Sequence, residues 1–321
     1  MLKEISIEII RKCPNLCLHC SSMAHKQCKE ILPYDKFKEV VSDAAQLGAK
    51  IICLSGGEPF LHSSIVNMVK YVKEKGLECC VYTSGIVLDE FENPAPLSEN
   101  VLTEISGYVT KLIFNIEAGT EHTYDKIMGT RDCFGKMQQS VVYAAEAGIH
   151  TEAHFVPMNI NVDEIDEVVA LCKKLHICKL SFLRLVLHGR AKQNKGELEL
   201  SEEKYLELKN HLQEIREQLG MAIRVGVPLS FDTSCCKCEA AKGKLNIKYD
   251  GYVFPCEVFK NNSMEKSLSG VKPDNIYQRT LSDIYNYSEY LNVVRKLSDR
   301  FSDRCETCVG QYLITYEKGE R

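Results

Sequence analysis

Alternating strand and helix patterns over roughly the first 190 residues predict an α/β fold, a parallel sheet covered by helices, with a smaller α+β region behind it. Three observations carry this. Short runs rich in Ile, Val, Leu, Phe and Cys recur at 4–10, 51–54, 78–83, 111–116, 151–156 and 178–186. Amphipathic stretches that stop at glycines lie between them. Past residue 221 the alternation gives way to a hairpin, a helix and a second set of cysteines.

In 35–47 the apolar residues Phe37, Val40, Val41, Ala44 and Leu47 share one helical face, and Gly48 stands where a terminating glycine belongs. Ile65, Val66, Val69 and Val72 repeat the pattern in 63–75, which ends at Gly76. Residues 134–147 end at Gly148, and 162–175 follow a loop at Asn159–Asn161. Asn93-Pro94-Ala95-Pro96 is a turn or short excursion before the next helix. The polar stretch 187–200 breaks the pattern and closes a core at 1–200; a helix at 201–219, within a 201–220 linker, leads to a second unit at 221–321. There, 245–249 and 252–254 around Asp250-Gly251 predict a hairpin with a type I′ turn. Leu281, Ile284, Tyr285, Leu291, Val294 and Leu297 predict a helix over 280–297.

Composition narrows the function classes. The 321 residues are 45% apolar and 26% charged, ordinary for a globular protein with a substantial core. A net charge of −4 gives no electrostatic footprint for nucleic acid. No apolar run is long enough to span a membrane, and no secretory signal opens the chain. Sixteen cysteines without such a signal point to a reducing compartment, the cytoplasm, and to metal ligation rather than disulfides.

The densest chemistry is Cys13-Pro14-Asn15-Leu16-Cys17-Leu18-His19-Cys20, directly after the first strand. Soft thiolates at this spacing select zinc or an iron–sulfur cluster. The alternatives are a zinc site completed by His19, His25 or Cys28, or unligated thiols. Three local cysteines around a four-iron cubane leave one iron open, and an open position signals chemistry.

This Cys-x3-Cys-x2-Cys loop resembles the signature of the radical S-adenosylmethionine (SAM) superfamily. The resemblance implies a partial (β/α)6 TIM-like barrel with the loop at the C-terminal strand ends. It also implies a [4Fe–4S] cluster on Cys13, Cys17 and Cys20 whose free iron takes the amino and carboxylate groups of SAM. In the family, an electron from the cluster splits SAM to a 5′-deoxyadenosyl radical, which abstracts a substrate hydrogen. Gly56-Gly57-Glu58-Pro59 after the second strand resembles the family's motif for the SAM amino group; as residues alone, the glycines let backbone approach a ligand and the carboxylate can accept from an ammonium. Thr83 and Ser84 at the third strand's end, Asn115 and Glu117 at the fourth and Val156 at the fifth are carried over as SAM contacts, though the first two pairs depart from the family's usual residues. His19 falls where the family often places a side chain near adenine. Arg184 and Arg190 flank the sixth strand's end, where arginine can hold a carboxylate.

Cys238, Cys256 and the Cys305-x2-Cys308 pair form a second set of four thiols, enough to enclose one metal centre as an iron–sulfur cluster; the alternatives are a zinc knuckle or a redox Cys-x2-Cys pair. The spacing resembles the twitch subdomain, a shortened SPASM domain with one auxiliary [4Fe–4S] cluster. Cys235 and Cys236 beside it are hydrogen-atom donor candidates, by likeness to radical SAM peptide epimerases; the alternatives are unligated packing or ligation of the same cluster. Cys53, Cys79, Cys80, Cys172 and Cys178 are expected to be small buried hydrophobes; Cys28 and Cys133 have no assigned role.

The expected function is radical modification of a ribosomally made peptide by crosslinking, oxidation or epimerisation, with flavodoxin or ferredoxin as electron donor. Against it stands the expectation that a core opening almost at residue 1 lacks the leader-peptide-binding domain many such enzymes carry. The alternatives are a dehydrogenase of a small aminocyclitol or sugar, and a non-catalytic iron–sulfur carrier or zinc protein.

Overall fold

A computed structural model describes residues 1–218, 222–226, 229, 238–260, 268, 270–300, 308 and 310; Cys235, Cys236 and Cys305 lie outside the described residues. Its centre is six parallel strands in chain order: β1 (Glu4–Ile10), β2 (Ile51–Gly56), β3 (Glu78–Thr83), β4 (Lys111–Asn115), β5 (Thr151–Phe155) and β6 (Lys179–Phe182). They are joined through α1 (Tyr34–Gln46), α2 (Ile65–Glu74), α3 (Glu99–Ile105), α4 (Glu121–Met128), α5 (Phe134–Glu146) and α6 (Ile165–Lys174). The sixth strand is shorter than its apolar run.

Period-two alternation sorts the strand residues onto two faces. Ile5, Ile7 and Ile9 join Phe37, Val40, Val41 and Val69 in the main core under the helices. Cys53, Cys80 and Ile113 form a separate small cluster, with Tyr82 packed against it. Cys53 and Cys80 are register partners on β2 and β3. Gly48, Gly76 and Gly148 stop their helices at φ of +91°, +71° and +74°, a region that favours glycine. Cys53, Cys79, Cys80 and Cys172 are buried as expected, but Cys178 is exposed, because it precedes β6 instead of lying in it.

The polar stretch at 187–200 is not a plain break. It folds as α7 (Gly189–Gln193) and α8 (Lys195–Leu198), and α9 (Glu202–Gln218) follows. Three further strands extend the sheet. β7 (Ala222–Val225) pairs in parallel with β6, and β8 (Lys244–Ile247) in parallel with β1; β9 (Val253–Phe254) pairs antiparallel with β8. Among the described residues the result is one nine-stranded sheet in the order β9-β8-β1-β2-β3-β4-β5-β6-β7.

Two local expectations are corrected. Type I′ turns need positive φ at both central residues, but only Gly251 of the hairpin has it, at +87°. Lys248 N–H donates to Tyr252 O and Gly251 N–H to Lys248 O, at 3.0 and 2.8 Å. This is the pattern of a three-residue loop with a glycine bulge. The 280–297 helix is two, α10 (Leu281–Tyr287) and α11 (Glu289–Arg300). Ser288 interrupts it, and its Oγ accepts from Leu291 N–H at 3.1 Å as an N-cap.

Candidate active site

The cysteine loop leaves β1 at the rim where the parallel strands end, and three other segments hold its backbone. From the end of α4, Met128 O accepts from Leu16 N–H and Ile127 O from Leu18 N–H, both at 2.9 Å. From α7, Arg190 N–H donates to Cys20 O at 3.0 Å. The Arg190 guanidinium donates to Cys17 O at 2.8 Å and Ala24 O at 2.9 Å, and Asn194 Nδ2 to Leu18 O at 2.9 Å. Arg190 therefore clamps the loop's own carbonyls instead of facing a ligand carboxylate, the role its place at the rim suggested.

The third hold is Gly56-Gly57. Gly57 N–H donates to Ile10 O at 2.7 Å and Glu58 N–H to Lys12 O at 2.9 Å. A Cβ on Gly57 would stand 2.1 Å from Lys12 O, and one on Gly56 2.2 Å from Ile10 O. The close approach these glycines permit is thus to the chain's own backbone leading into the cysteines.

Glu58 is fully buried. Thr83 Oγ1 donates to Oε1 at 2.7 Å, Ser84 N–H and Oγ to Oε2 at 2.9 and 2.7 Å, and Phe60 N–H to Oε1 at 3.3 Å. Burial pushes this carboxyl above its ordinary value, and the bonds from Ser84, Thr83 and Phe60 oppose the shift. Four protein donors match the carboxylate's four lone-pair sites, so a ligand ammonium at Glu58 shares or displaces one of them.

A second group forms beside the loop. His19 Nε2 lies 3.4 Å from Glu117 Oε1, while Glu117 Oε2 accepts from Val156 N–H at 2.9 Å. Asn115 Nδ2 donates to Glu117 Oε1 at 3.5 Å, and Asn161 Nδ2 to Glu117 O at 2.8 Å. His19 Nδ1 is buried with no partner among the described residues. The structure so gathers Glu58, Thr83 and Ser84 on one side and His19, Asn115, Glu117 and Val156 on the other. It sends Arg184 elsewhere, with its guanidinium 2.8 Å from Cys308 Sγ.

The thiols fit an iron–sulfur centre by their chemistry. Burial drives the Cys13 thiol well above its usual range, reinforced by Cys17 and Glu58; burial and Cys20 do the same to Cys17, against Arg190. These two thiols stay protonated unless a metal's charge takes the place of the protons. In the second set, burial likewise raises Cys238 and Cys256, with Cys308 adding to both. Among the described residues no three His, Cys, Asp or Glu side chains converge on a single-ion site, whereas a cubane gives each thiolate its own iron.

Sequence reasoning missed one buried tie. Lys260 Nζ donates to Glu8 Oε1 at 2.5 Å and to Ser22 Oγ at 3.1 Å, and Ser22 Oγ donates to the same Glu8 oxygen at 2.8 Å. Burial works to lower Lys260, and Glu8, helped by Glu257 and Cys20, more than offsets it, so the ammonium is held. A charged pair buried between β1, the cysteine loop and the chain after β9 leaves no sequence pattern. Lys260→Met is expected to cost about 3–5 kcal/mol, because it strands the Glu8 carboxylate. Chemical denaturation would read the loss, and Glu8→Leu added to Lys260→Met is expected to restore most of it. Equal stability of wild type and Lys260→Met would contradict this account.

A partial parallel barrel with a three-thiol loop at its rim and a second thiol set behind defines an iron–sulfur enzyme. The radical SAM superfamily model matches residues 7–173, and an iron–sulfur cluster-binding domain of the SPASM type matches 236–309. The chain belongs to the radical SAM superfamily, whose cofactors are SAM and a [4Fe–4S] cluster, and its SPASM region adds auxiliary iron–sulfur binding. It is 26% identical over 306 residues to the PqqA peptide cyclase of Rhizobium meliloti, covering 94% of this chain and 78% of that one. It is 20% identical over 332 residues to the AdoMet-dependent heme synthase of Oleidesulfovibrio alaskensis, covering 95% and 79%. Among solved structures, SuiB of Streptococcus suis bound to SAM superposes with a TM-score of 0.72 at 15% identity, over 92% of this chain and 68% of that one. SuiB bound to its precursor peptide SuiA gives 0.72 at 16%, over 94% and 69%. No helix among the described residues is long and apolar enough to cross a membrane.

Proposed function

We propose that the protein is a cytoplasmic radical SAM enzyme that modifies a ribosomally made peptide. The observation that carries this is the likeness to a peptide cyclase along 94% of the chain. In this reading Cys13, Cys17 and Cys20 hold the SAM-binding cluster. Gly56, Gly57, Glu58 and Pro59, with Thr83 and Ser84, face the amino end of SAM. His19, Asn115, Glu117 and Val156 face its nucleoside. Cys238, Cys256, Cys305 and Cys308 hold an auxiliary cluster, and a flavodoxin or ferredoxin delivers electrons. When bound, SAM and its cluster supply a 5′-deoxyadenosyl radical able to take hydrogen from an unactivated carbon.

The chain's own part is to orient the substrate and keep it dry. His154, on the strand face opposite the helices and 5.3 Å from the Tyr82 ring, is held neutral, its pKa lowered to about 4 by burial and by Arg224. Neutral imidazole and phenol leave this face of the strands without a ready proton donor or acceptor near neutral pH.

The test is anaerobic incubation with SAM, dithionite and each short peptide encoded beside the gene. We expect 5′-deoxyadenosine together with a peptide that has lost two hydrogens or gained solvent deuterium. Unaltered peptides, with an aminocyclitol or sugar oxidised in their place, would overturn the peptide assignment. No 5′-deoxyadenosine under any condition would leave only an electron carrier.

A further inference from the structure

We infer that Arg184 is the barrel's hold on the auxiliary iron–sulfur centre and sets that centre's reduction potential through its bond to Cys308. The inference rests on Cys308 being a ligand of that centre. Arg184 lies just beyond β6, and one guanidinium nitrogen stands 2.8 Å from Cys308 Sγ across 124 positions of sequence. Among the described residues Arg184 makes no ion pair and no other hydrogen bond. A guanidinium carries five donors and a permanent charge, while a neutral thiol is a weak acceptor. A half-buried cation 2.8 Å from a sulfur is matched best when that sulfur is negative, as a metal-bound thiolate is.

The consequence is electrostatic. Reduction adds one negative charge to a cluster, so a cation bonded to a ligating sulfur stabilises the reduced form and raises the potential. The geometry also gives the loop after β6 a direct reach to the second cysteine set. His188 and Tyr205 are the titratable neighbours that feel the same charge. Neither competes with sulfur for it as a carboxylate would.

The experiment is an EPR-monitored redox titration of wild type, Arg184→Lys and Arg184→Gln, with iron and sulfide counted in each. Arg184→Gln is expected to move the auxiliary signal to more negative potential, Arg184→Lys by less, and the SAM-binding cluster's signal not at all. An unmoved auxiliary potential with full iron overturns the inference while leaving the enzyme assignment standing. A wild type that holds iron for only one cluster overturns the auxiliary centre itself. Should Arg184→Gln fail to retain that iron, wild type labelled with nitrogen-15 arginine decides the matter, in a background lacking Cys13, Cys17 and Cys20. Pulsed EPR is then expected to show nitrogen coupling that Arg184→Lys abolishes; its absence from wild type overturns the inference.

Discussion

Cys17→Ala is expected to end 5′-deoxyadenosine formation, a loss of more than about 1,000-fold, because the proposed SAM-binding cluster then lacks one of its three thiolates. The substitution separates the thiol's part from the loop's. Leu16 and Leu18 keep their bonds to α4, and Arg190 still holds the backbone carbonyl of residue 17. Iron should fall by one cluster's share while the auxiliary share remains. Chromatography of the nucleoside with iron and sulfide counting reads both results. Cys172→Ala, which removes a buried thiol of α6 away from the loop, is expected to change neither. Full iron and undiminished SAM cleavage in Cys17→Ala would remove the loop from the chemistry.

Gly57→Ala is the second large effect, and it acts through packing. The new methyl would stand 2.1 Å from Lys12 O and 2.5 Å from Arg11 O, both backbone atoms, so no rotamer can relieve it. We expect a loss of stability of about 3 kcal/mol, near the upper end for overpacking, and a displaced cysteine loop that binds iron poorly. Gly107→Ala is the control, since its Cβ meets nothing within 4 Å; it should stay within about 0.5 kcal/mol. Urea unfolding of the metal-free chains measures both. If Gly57→Ala unfolds at the wild-type midpoint, the loop from β2 is not pinned to the cysteine segment as described.

Much of the fold was legible because its signals are local. The six apolar runs became six parallel strands, and Gly48, Gly76 and Gly148 ended the helices they were expected to end. β7 escaped notice because Ala222-Ile223-Arg224-Val225 is too short for alternation to register. The hairpin was read correctly but not its sheet partner, since nothing in β8 announces that it lies beside β1. At the site, the cysteine loop and Gly56-Gly57-Glu58-Pro59 stood out by composition and order. Their supports did not: Arg190 reaches Cys17 across 173 positions, and Lys260 reaches Glu8 across 252. Such partners are set by the topology of the sheet, which no window of sequence contains.

The placing of β7 and β8 bears on how this enzyme can be dissected. Each caps one flank of the six parallel strands with chain that comes after residue 221. A fragment cut at residue 200 would expose raw hydrogen-bonding edges on β1 and β6, ready to recruit a neighbouring molecule. Shortening the protein to its SAM-binding half therefore invites fibres and inclusion bodies, not a smaller catalyst.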